Sequence, residues 1–70
     1  MADTSVYKVI ELVGSSTESW EKAAAAAVAK AGESLDDLRI AEVTKLDMQI
    51  ENDLVVTYRA RLKVSFKYRD

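Results

Sequence analysis

The sequence feature that most constrains the fold is a long alternation of apolar and polar residues between Leu54 and Tyr68. Every even-numbered position in this stretch is apolar, and from Arg59 onward the odd-numbered positions are polar and mostly basic. A period of two predicts a β-strand with one apolar face and one basic face, because successive side chains of a strand point to opposite sides. Helical geometry would scatter the same apolar residues around the helix axis.

The length of this strand is large for so short a chain. Fifteen residues, Leu54 to Tyr68, span about 50 Å when extended at about 3.4 Å each, whereas a compact chain of 70 residues has a radius of gyration of about 11 Å. The strand must therefore bend around another element or extend beyond its own subunit. A chain of this size buries only about 60% of its unfolded surface, and this one has neither Cys nor His. We therefore expect oligomerisation, rather than disulfides or zinc, to stabilise it.

Composition narrows the function classes. The net charge is −2, with acidic and basic residues interspersed, which gives no basic field for nucleic acid. No apolar run is long enough to cross a membrane or to act as a secretion signal, so we expect a cytoplasmic protein. No carboxylate pair or activated nucleophile has a partner suited to catalysis, which predicts that the protein is not an enzyme.

The first half of the chain predicts a strand followed by a helix. Ser5 to Val13 is rich in β-branched residues with apolar side chains on both faces, which predicts a strand covered on both sides. Gly14-Ser15-Ser16 is expected to end this strand. Ser15 with Glu18 forms a candidate capping box for the helix, and Ser16 competes for the same role. The same turn could alternatively present backbone N–H groups to a phosphate.

Thr17 to Ala31 predicts a helix that ends at Gly32. One apolar stripe of this helix consists of Trp20, Ala24, Ala27, Val28 and Ala31. Its small side chains would let a sheet approach closely. Trp20 serves either for packing or as a stacking surface for a ligand.

The second half of the chain predicts a hairpin. Leu35 and Leu38 are expected to anchor the connector, and Arg39 to Ile50 is expected to form a strand that alternates without interruption. Glu51 to Asp53 is the predicted turn. The predicted fold is α+β, a single domain over residues 1–70 with element order β-α-β-β. Its three-stranded antiparallel sheet has the order 1-3-2, with the long strand in the centre and one face covered by the helix.

Two groups of side chains are candidate sites. Arg59, Arg61 and Lys63 share a face with Glu42 if the last two strands pair, which indicates ion pairs between strands or subunits, or contacts to a phosphate or cofactor tail. Asp47, Glu51, Asn52 and Asp53 offer the oxygen ligands that Ca²⁺ prefers, although their spacing is not that of an EF-hand. The alternative for this second group is a solvated acidic turn.

The residues VYKVIELVGSS, SWEKA, AEV and LKVSF, taken in this order along the chain, resemble the dodecin family over nearly the whole sequence. The resemblance implies a sheet wrapped around one helix and twelve copies that close into a hollow sphere. It also implies a non-enzymatic binding and storage protein. Dodecins typically bind flavins, such as FMN or riboflavin, as stacked pairs near two-fold axes.

The resemblance places Ile40 where the family has its flavin-stacking Trp, and Arg59 where it has the Gln that bonds the flavin edge. Glu42 and Arg61 are further cofactor-contacting candidates beside these two. Loss of an aromatic platform weakens stacking by about 1–3 kcal/mol per ring, by analogy with nucleic-acid bases, so we expect weakened flavin binding.

The pairs Asp47-Met48 and Tyr58-Arg59 resemble the calcium-dodecin branch of the family. This implies Ca²⁺ as a ligand, with Asp47, Glu51 and Asp53 as candidate metal ligands. The alternatives are a flavin-storing dodecin of the usual kind and a structural oligomer without a specific ligand.

Overall fold

A computed structural model describes residues 4–68 as one helix packed on one sheet. The elements are β1 (Tyr7–Ser16), α1 (Trp20–Ser34), β2 (Leu38–Glu51) and β3 (Leu54–Lys67), in this order along the chain. The sheet has the order β1-β3-β2, and β3 is antiparallel to both of its neighbours. The predicted α+β fold and the predicted strand order are confirmed.

β1 continues through the residues that were expected to end it. Gly14 pairs with Ala60, and the strand reaches Ser16, which pairs with Tyr58. Gly14 is buried beneath α1, where a Cβ atom would collide with the backbone carbonyl of Ala23. The glycine therefore allows the helix to approach the strand, and its interpretation as a strand stop is wrong.

The helix begins later than predicted, and a different serine caps it. Ser19 is the N-cap, and its Oγ accepts a hydrogen bond from the Lys22 N–H at 3.1 Å. Ser16 Oγ accepts a hydrogen bond from the Glu18 N–H at 3.0 Å within the connection. The predicted Ser15–Glu18 capping box is wrong because Ser15 and Ser16 belong to β1.

The end of the helix also differs from the prediction. Gly32 lies inside the last turn, and α1 ends at Ser34, where the Leu35 N–H bonds to the Ala31 carbonyl at 3.0 Å. The φ angle of Gly32 lies outside the left-handed region. The glycine is therefore not the predicted C-terminal stop.

The core lies between small side chains of α1 and larger ones of β3. Its buried residues are Ala23, Ala27, Ala60, Leu62 and Val64. The predicted apolar stripe of the helix does face the sheet, but the buried face is centred on different residues. Ala23 is fully buried, whereas Ala24, Val28 and Trp20 are half-buried. Leu38 packs against this core, as expected of a connector anchor.

Two of the three irregularities in the pairing of β2 with β3 decide which side chains in the middle of β2 face the helix. Val56 of β3 and Thr44 of β2 have no partner on the opposite strand, so the segment between them is displaced by one residue. Thr44 Oγ1 donates a hydrogen bond to the Arg61 carbonyl at 3.1 Å, which ties the bulge to β3. The uninterrupted alternation predicted from Ile40 to Ile50 is wrong.

The displacement turns Leu46 to the side of the sheet that Val43 already faces, toward α1. Val43 and Leu46 lie opposite Leu62 and Ala60, which are buried under the helix. Directly opposed residues of an antiparallel pair share a face, so Val43 and Leu46 face the helix side although they are three positions apart. Lys45 is turned to the other face for the same reason.

The hairpin between β2 and β3 has the predicted turn. Asn52 and Asp53 adopt left-handed conformations with φ of 53° and 65°, which Asn and Asp tolerate better than most residues. These φ angles suit a two-residue hairpin turn whose twist matches that of the strands.

The subunit is long and thin. Its principal extents are 56 × 20 × 15 Å and its radius of gyration is 14.7 Å, against about 11 Å for a compact chain of this length. Within residues 4–68, no helix is long and apolar enough to cross a membrane.

Both faces of the sheet carry exposed apolar side chains, including Val9, Val13, Val43 and Leu46. The prediction that β1 is covered on both sides is met only on the α1 side within one chain.

Candidate functional site

The candidate site lies on the face of the sheet away from α1, which we call the outer face. Three cations of β3 run along its middle, and each lies between one residue of β1 and one of β2. Arg59 lies between Ser15 and Asp47, Arg61 between Val13 and Lys45, and Lys63 between Glu11 and Glu42. The expectation that Glu42 shares a face with these cations is confirmed.

Asp47 and Arg59 form a two-pronged ion pair across the hairpin. Arg59 Nε donates to Asp47 Oδ1 at 2.7 Å, and Arg59 Nη2 donates to Oδ2 at 2.9 Å. These hydrogen bonds lower the pKa of Asp47, against a smaller opposing effect of desolvation, and the charges of Arg59 and Arg61 lower it further. The pair raises the pKa of Arg59 in turn. Both carboxylate oxygens of Asp47 are therefore engaged within the chain.

The backbone of Asp47 is tied to the start of the helix. Trp20 Nε1 donates to the Asp47 carbonyl at 3.0 Å. The Trp20 ring meets Tyr58 edge to face, with ring centroids 5.1 Å apart and an interplanar angle of 69°. Trp20 thus connects α1 with both strands of the hairpin, which supports a packing role.

A groove open to solvent lies beside Trp20, between α1 and β2. Trp20, Glu21, Ala24, Val43 and Leu46 line this α1–β2 groove, whose volume is about 590 Å³. It exists because the helix covers β1 and β3, while β2 remains exposed along nearly its whole length. The groove lies on the helix side of the sheet, away from the cations.

The two residues predicted to occupy the family's flavin positions are not adjacent within the chain. Ile40 lies opposite Ser65, whereas Arg59 lies six residues away along β3, which corresponds to about 20 Å. Ile40 and Glu42 line a shallow hollow of about 400 Å³ on the outer face, together with Val9, Lys63 and Ser65. Contact of one ring with both positions would therefore require two copies of the chain.

The candidate metal ligands are spread along the hairpin. Asp47 and Glu51 are four residues apart on β2, about 13 Å in extended geometry. Glu51 accepts a hydrogen bond from Gln49 at 3.4 Å, and Asp53 lies in the turn. Among residues 4–68, no three Asp, Glu, His or Cys side chains are grouped to hold a metal ion. The calcium site at Asp47, Glu51 and Asp53 stays a prediction that needs further ligands.

The phosphate alternative for Gly14-Ser15-Ser16 has no support. These residues pair with Ala60, Arg59 and Tyr58 inside the sheet, and the Ser16 hydroxyl serves the connection to α1. The turn therefore does not form a loop of free N–H groups around an anion.

Sequence reasoning missed the contact between Asp47 and Arg59, and the position of Lys45 opposite Arg61. A usable signal was present: from Ala41 onward, apolar residues of β2 occupy positions 41 and 43, then positions 46, 48 and 50. This change from odd to even positions marks the bulge at Thr44.

Comparison with known proteins settles the family. The family model described as Dodecin matches residues 6–69. The chain belongs to the dodecin family. This dodecin is 52% identical over 65 residues to the calcium dodecin of Mycobacterium tuberculosis (strain ATCC 25618 / H37Rv), which covers 93% of this chain and 92% of the relative.

Solved structures of other dodecins have the same fold. The dodecin of Streptomyces coelicolor superposes with a TM-score of 0.92 at 32% identity, covering 99% of each chain. A Thermus thermophilus protein gives a TM-score of 0.88 at 37% identity, covering 96% of this chain and 98% of that one.

The crystal structure of the Mycobacterium tuberculosis calcium dodecin gives a TM-score of 0.83 at 52% identity, covering 93% of each chain. That protein is described as calcium chelating, with a novel calcium-binding site. Family membership makes the present dodecin a small-ligand-binding protein of the dodecin type, which fits a binding protein rather than an enzyme.

Proposed function

We propose that this dodecin is the subunit of a hollow homododecamer that binds and stores a small ligand without catalysis. We propose Ca²⁺ as the ligand, with flavin binding weaker than is usual for the family. The observation that carries the weaker flavin binding is the Asp47–Arg59 pair, because Arg59, at the predicted position of the family's flavin-bonding amide, is engaged with a carboxylate.

The shape of the subunit supports assembly. Its accessible surface is 5470 Å², about 1,100 Å² more than the roughly 4,400 Å² expected for a globular monomer of 7.8 kDa. A standard protein interface buries about 800 Å² on each partner. Closure into a shell would cover this excess and the apolar side chains exposed on both faces of the sheet.

The chemistry of the outer face argues against tight flavin binding. Ile40 offers no aromatic surface for stacking. Arg59 has only donor groups, two of which bond to Asp47, and it cannot accept a hydrogen bond as Gln can. A flavin would lose both the platform and part of the polar recognition.

Calcium binding is supported by the 52% identity with the calcium dodecin and by the oxygen ligands of the hairpin. Ca²⁺ takes six to eight oxygens, and Asp47, Glu51 and Asp53 are too spread along the hairpin of one chain to present that many to one ion. We therefore propose that ligands from neighbouring copies complete the site. Asp47 would have to release Arg59 in order to bind the ion. Arg59 therefore competes with Ca²⁺ for the Asp47 carboxylate.

The test combines mass and melting measurements on chelator-treated protein, with and without millimolar Ca²⁺. We expect a mass of twelve subunits in both samples. A ligand that binds only the native oligomer stabilises it by about 2.7 kcal/mol at a hundred times its dissociation constant, so the melting temperature should rise by several degrees with Ca²⁺.

The variant Asp47→Asn with Asp53→Asn should keep the mass and lose the calcium-induced rise. The control variant Glu21→Gln with Glu33→Gln removes the same charge from the helix surface. It should retain the calcium-induced rise in melting temperature. A monomeric or dimeric mass would contradict the assembly. A twelve-subunit mass with identical melting in calcium and in chelator would favour the structural oligomer instead.

A further inference from the structure

The three cations of β3 that lie between β1 and β2 on the outer face do not have equivalent surroundings. Arg59 is bonded to Asp47, and Lys63 has a carboxylate on each side, Glu11 and Glu42. Arg61 has Val13 on one side and Lys45 on the other. It is the member of this row with no acidic residue directly opposite.

Arg61 and Lys45 form a pair of like charges. Directly opposed residues in an antiparallel pair have Cβ atoms about 4.5–5.5 Å apart, and like charges in this arrangement repel. The acidic residues nearest along β2 are Glu42, opposite Lys63, and Asp47, whose carboxylate oxygens both bond to Arg59. Among residues 4–68, neither Arg61 nor Lys45 forms an ion pair.

The fold itself creates this juxtaposition. Without the irregularities at Val56 and Thr44, simple counting back from the turn would place Lys45 opposite Ala60, on the helix side. The unpaired Val56 shifts the register and brings Lys45 to the outer face opposite Arg61, and Thr44, where the register returns, bonds through its hydroxyl to the carbonyl of Arg61. The bulge residue thus holds the backbone of both strands beside the two cations.

We propose that Arg61 and Lys45 form a binding site for a phosphate group on a small ligand. A phosphate placed between them would remove their mutual repulsion. The guanidinium of Arg61 matches the geometry of two phosphate oxygens, and the ammonium of Lys45 supplies a compact second charge. Neither residue is a proposed calcium ligand, but Asp47 lies two residues from Lys45 along the same face, so the test is made without calcium.

The test measures binding of inorganic pyrophosphate to the assembled protein by calorimetry, in calcium-free buffer with chelator. We expect Arg61→Gln to weaken binding by about tenfold or more, since a charge-assisted hydrogen bond is lost. Lys63→Gln is the matched control, because it removes the same charge one position along the same face. It should change affinity by less than about threefold, the size of a general charge effect.

A second variant keeps the test decisive if the neutral substitutions fold poorly. Lys45→Glu gives Arg61 a carboxylate directly opposite, like the one that Arg59 has. We expect it to abolish pyrophosphate binding while the melting temperature stays the same or rises. Equal losses in Arg61→Gln and Lys63→Gln, or pyrophosphate binding that survives Lys45→Glu, would overturn the proposal. It would also be overturned if the unmodified protein failed to bind pyrophosphate. Dissociation of the oligomer by Arg61→Gln would then show that Arg61 pairs with another copy of the chain instead.

Discussion

Asp47 uses its side chain and its backbone for different connections. Its carboxylate pairs with Arg59 across the hairpin, and its carbonyl accepts the indole N–H of Trp20 from the helix. A substitution to Asn keeps the backbone contact, removes the charge and replaces one of the two acceptor oxygens by an NH₂ donor. The contribution of the ion pair can therefore be measured separately from that of Trp20.

We expect the stability loss in Asp47→Asn to depend on pH. Because the folded-state pKa of Asp47 lies below its ordinary value of 3.8, the ion pair stabilises the protein above about that pH. The contribution is lost as the pH falls through the lowered folded-state pKa. Melting followed by circular dichroism should show Asp47→Asn below the wild type at neutral pH, and the difference should shrink in acid.

Asp53→Asn is the control for this measurement, because Asp53 lies exposed in the turn and Asn tolerates its left-handed backbone. It should melt close to the wild type at every pH. A difference for Asp47→Asn that stays constant from neutral to strongly acidic pH would contradict the assigned role of the carboxylate.

The flavin positions give a gain-of-function prediction. Ile40→Trp with Arg59→Gln should restore quenching of riboflavin and FMN fluorescence, since it returns a stacking surface and a hydrogen-bond acceptor. Ile50→Trp with Arg59→Gln is the matched control, because Ile50 is also an exposed isoleucine of β2. Nanomolar flavin binding by the unmodified protein would refute the interpretation of both positions.

At the scale of the elements, close packing of α1 on the sheet depends on small residues. Ala23 and Ala27 lie over β1 at Gly14, where a Cβ atom would come within 3.1 Å of the Ala27 Cβ and still closer to the Ala23 carbonyl. Gly32, at the other end of the helix, has room: a Cβ atom there would meet Leu38 Cδ1 at 3.7 Å. Replacement by alanine is therefore expected to change the free energy of unfolding differently at the two glycines.

Gly14→Ala should lower the free energy of unfolding by about 1–3 kcal/mol or more, because an overpacked site must displace backbone. Gly32→Ala should raise it by up to about 1 kcal/mol, because alanine favours the helix more than glycine does. Denaturant unfolding of both variants at one protein concentration measures the contrast. Equal effects on stability would show that Gly14 does not mark the contact between helix and strand.

The element order and strand order were predictable because long periodic segments fix them. β3 alternates without interruption from Val56 to Lys67, and the alanine-rich segment favours a helix. The pairing within the hairpin was not predictable by counting from the turn, since that would set Asp47 against Tyr58. The observed register sets it against Arg59, because leaving Val56 and Thr44 unpaired lets the apolar residues of β2 face the helix.

Local details near Gly14 were missed for a related reason. Gly and Ser usually mark the end of a strand, but here tertiary contact with α1 requires a residue without a side chain inside β1. The Asp47–Arg59 pair depends on the bulges and was therefore beyond the reach of simple alternation. Ligands that neighbouring copies would supply to a shared site cannot be predicted from strand pairing within one chain.

At the scale of the whole molecule, two leucines distinguish folding from assembly. Leu62 is fully buried in the core, whereas Leu46 is 53% exposed in the α1–β2 groove. A charged side chain at position 62 would have to be buried when the chain folds. A charged side chain at position 46 would stay exposed to water in the isolated subunit.

We therefore expect Leu62→Asp to lose folded structure, and Leu46→Asp to keep its secondary structure but to form smaller oligomers. Circular dichroism and light scattering on the same samples measure the two properties. Leu46→Met is the control, because it preserves an apolar side chain of similar volume. Full-size assembly of Leu46→Asp would mean that no other subunit covers this groove.

The sheet order has a consequence for synthesis of the chain. β3 is the partner of both β1 and β2, yet it follows both of them in the sequence. At ribosomal speeds of about 5–20 residues per second, β1 waits roughly 3–12 s for the strand that pairs with it. During that interval α1 and β2 emerge without a completed sheet to pack against. The sheet can therefore form only in one late step of synthesis, when β3 becomes available to pair with both β1 and β2.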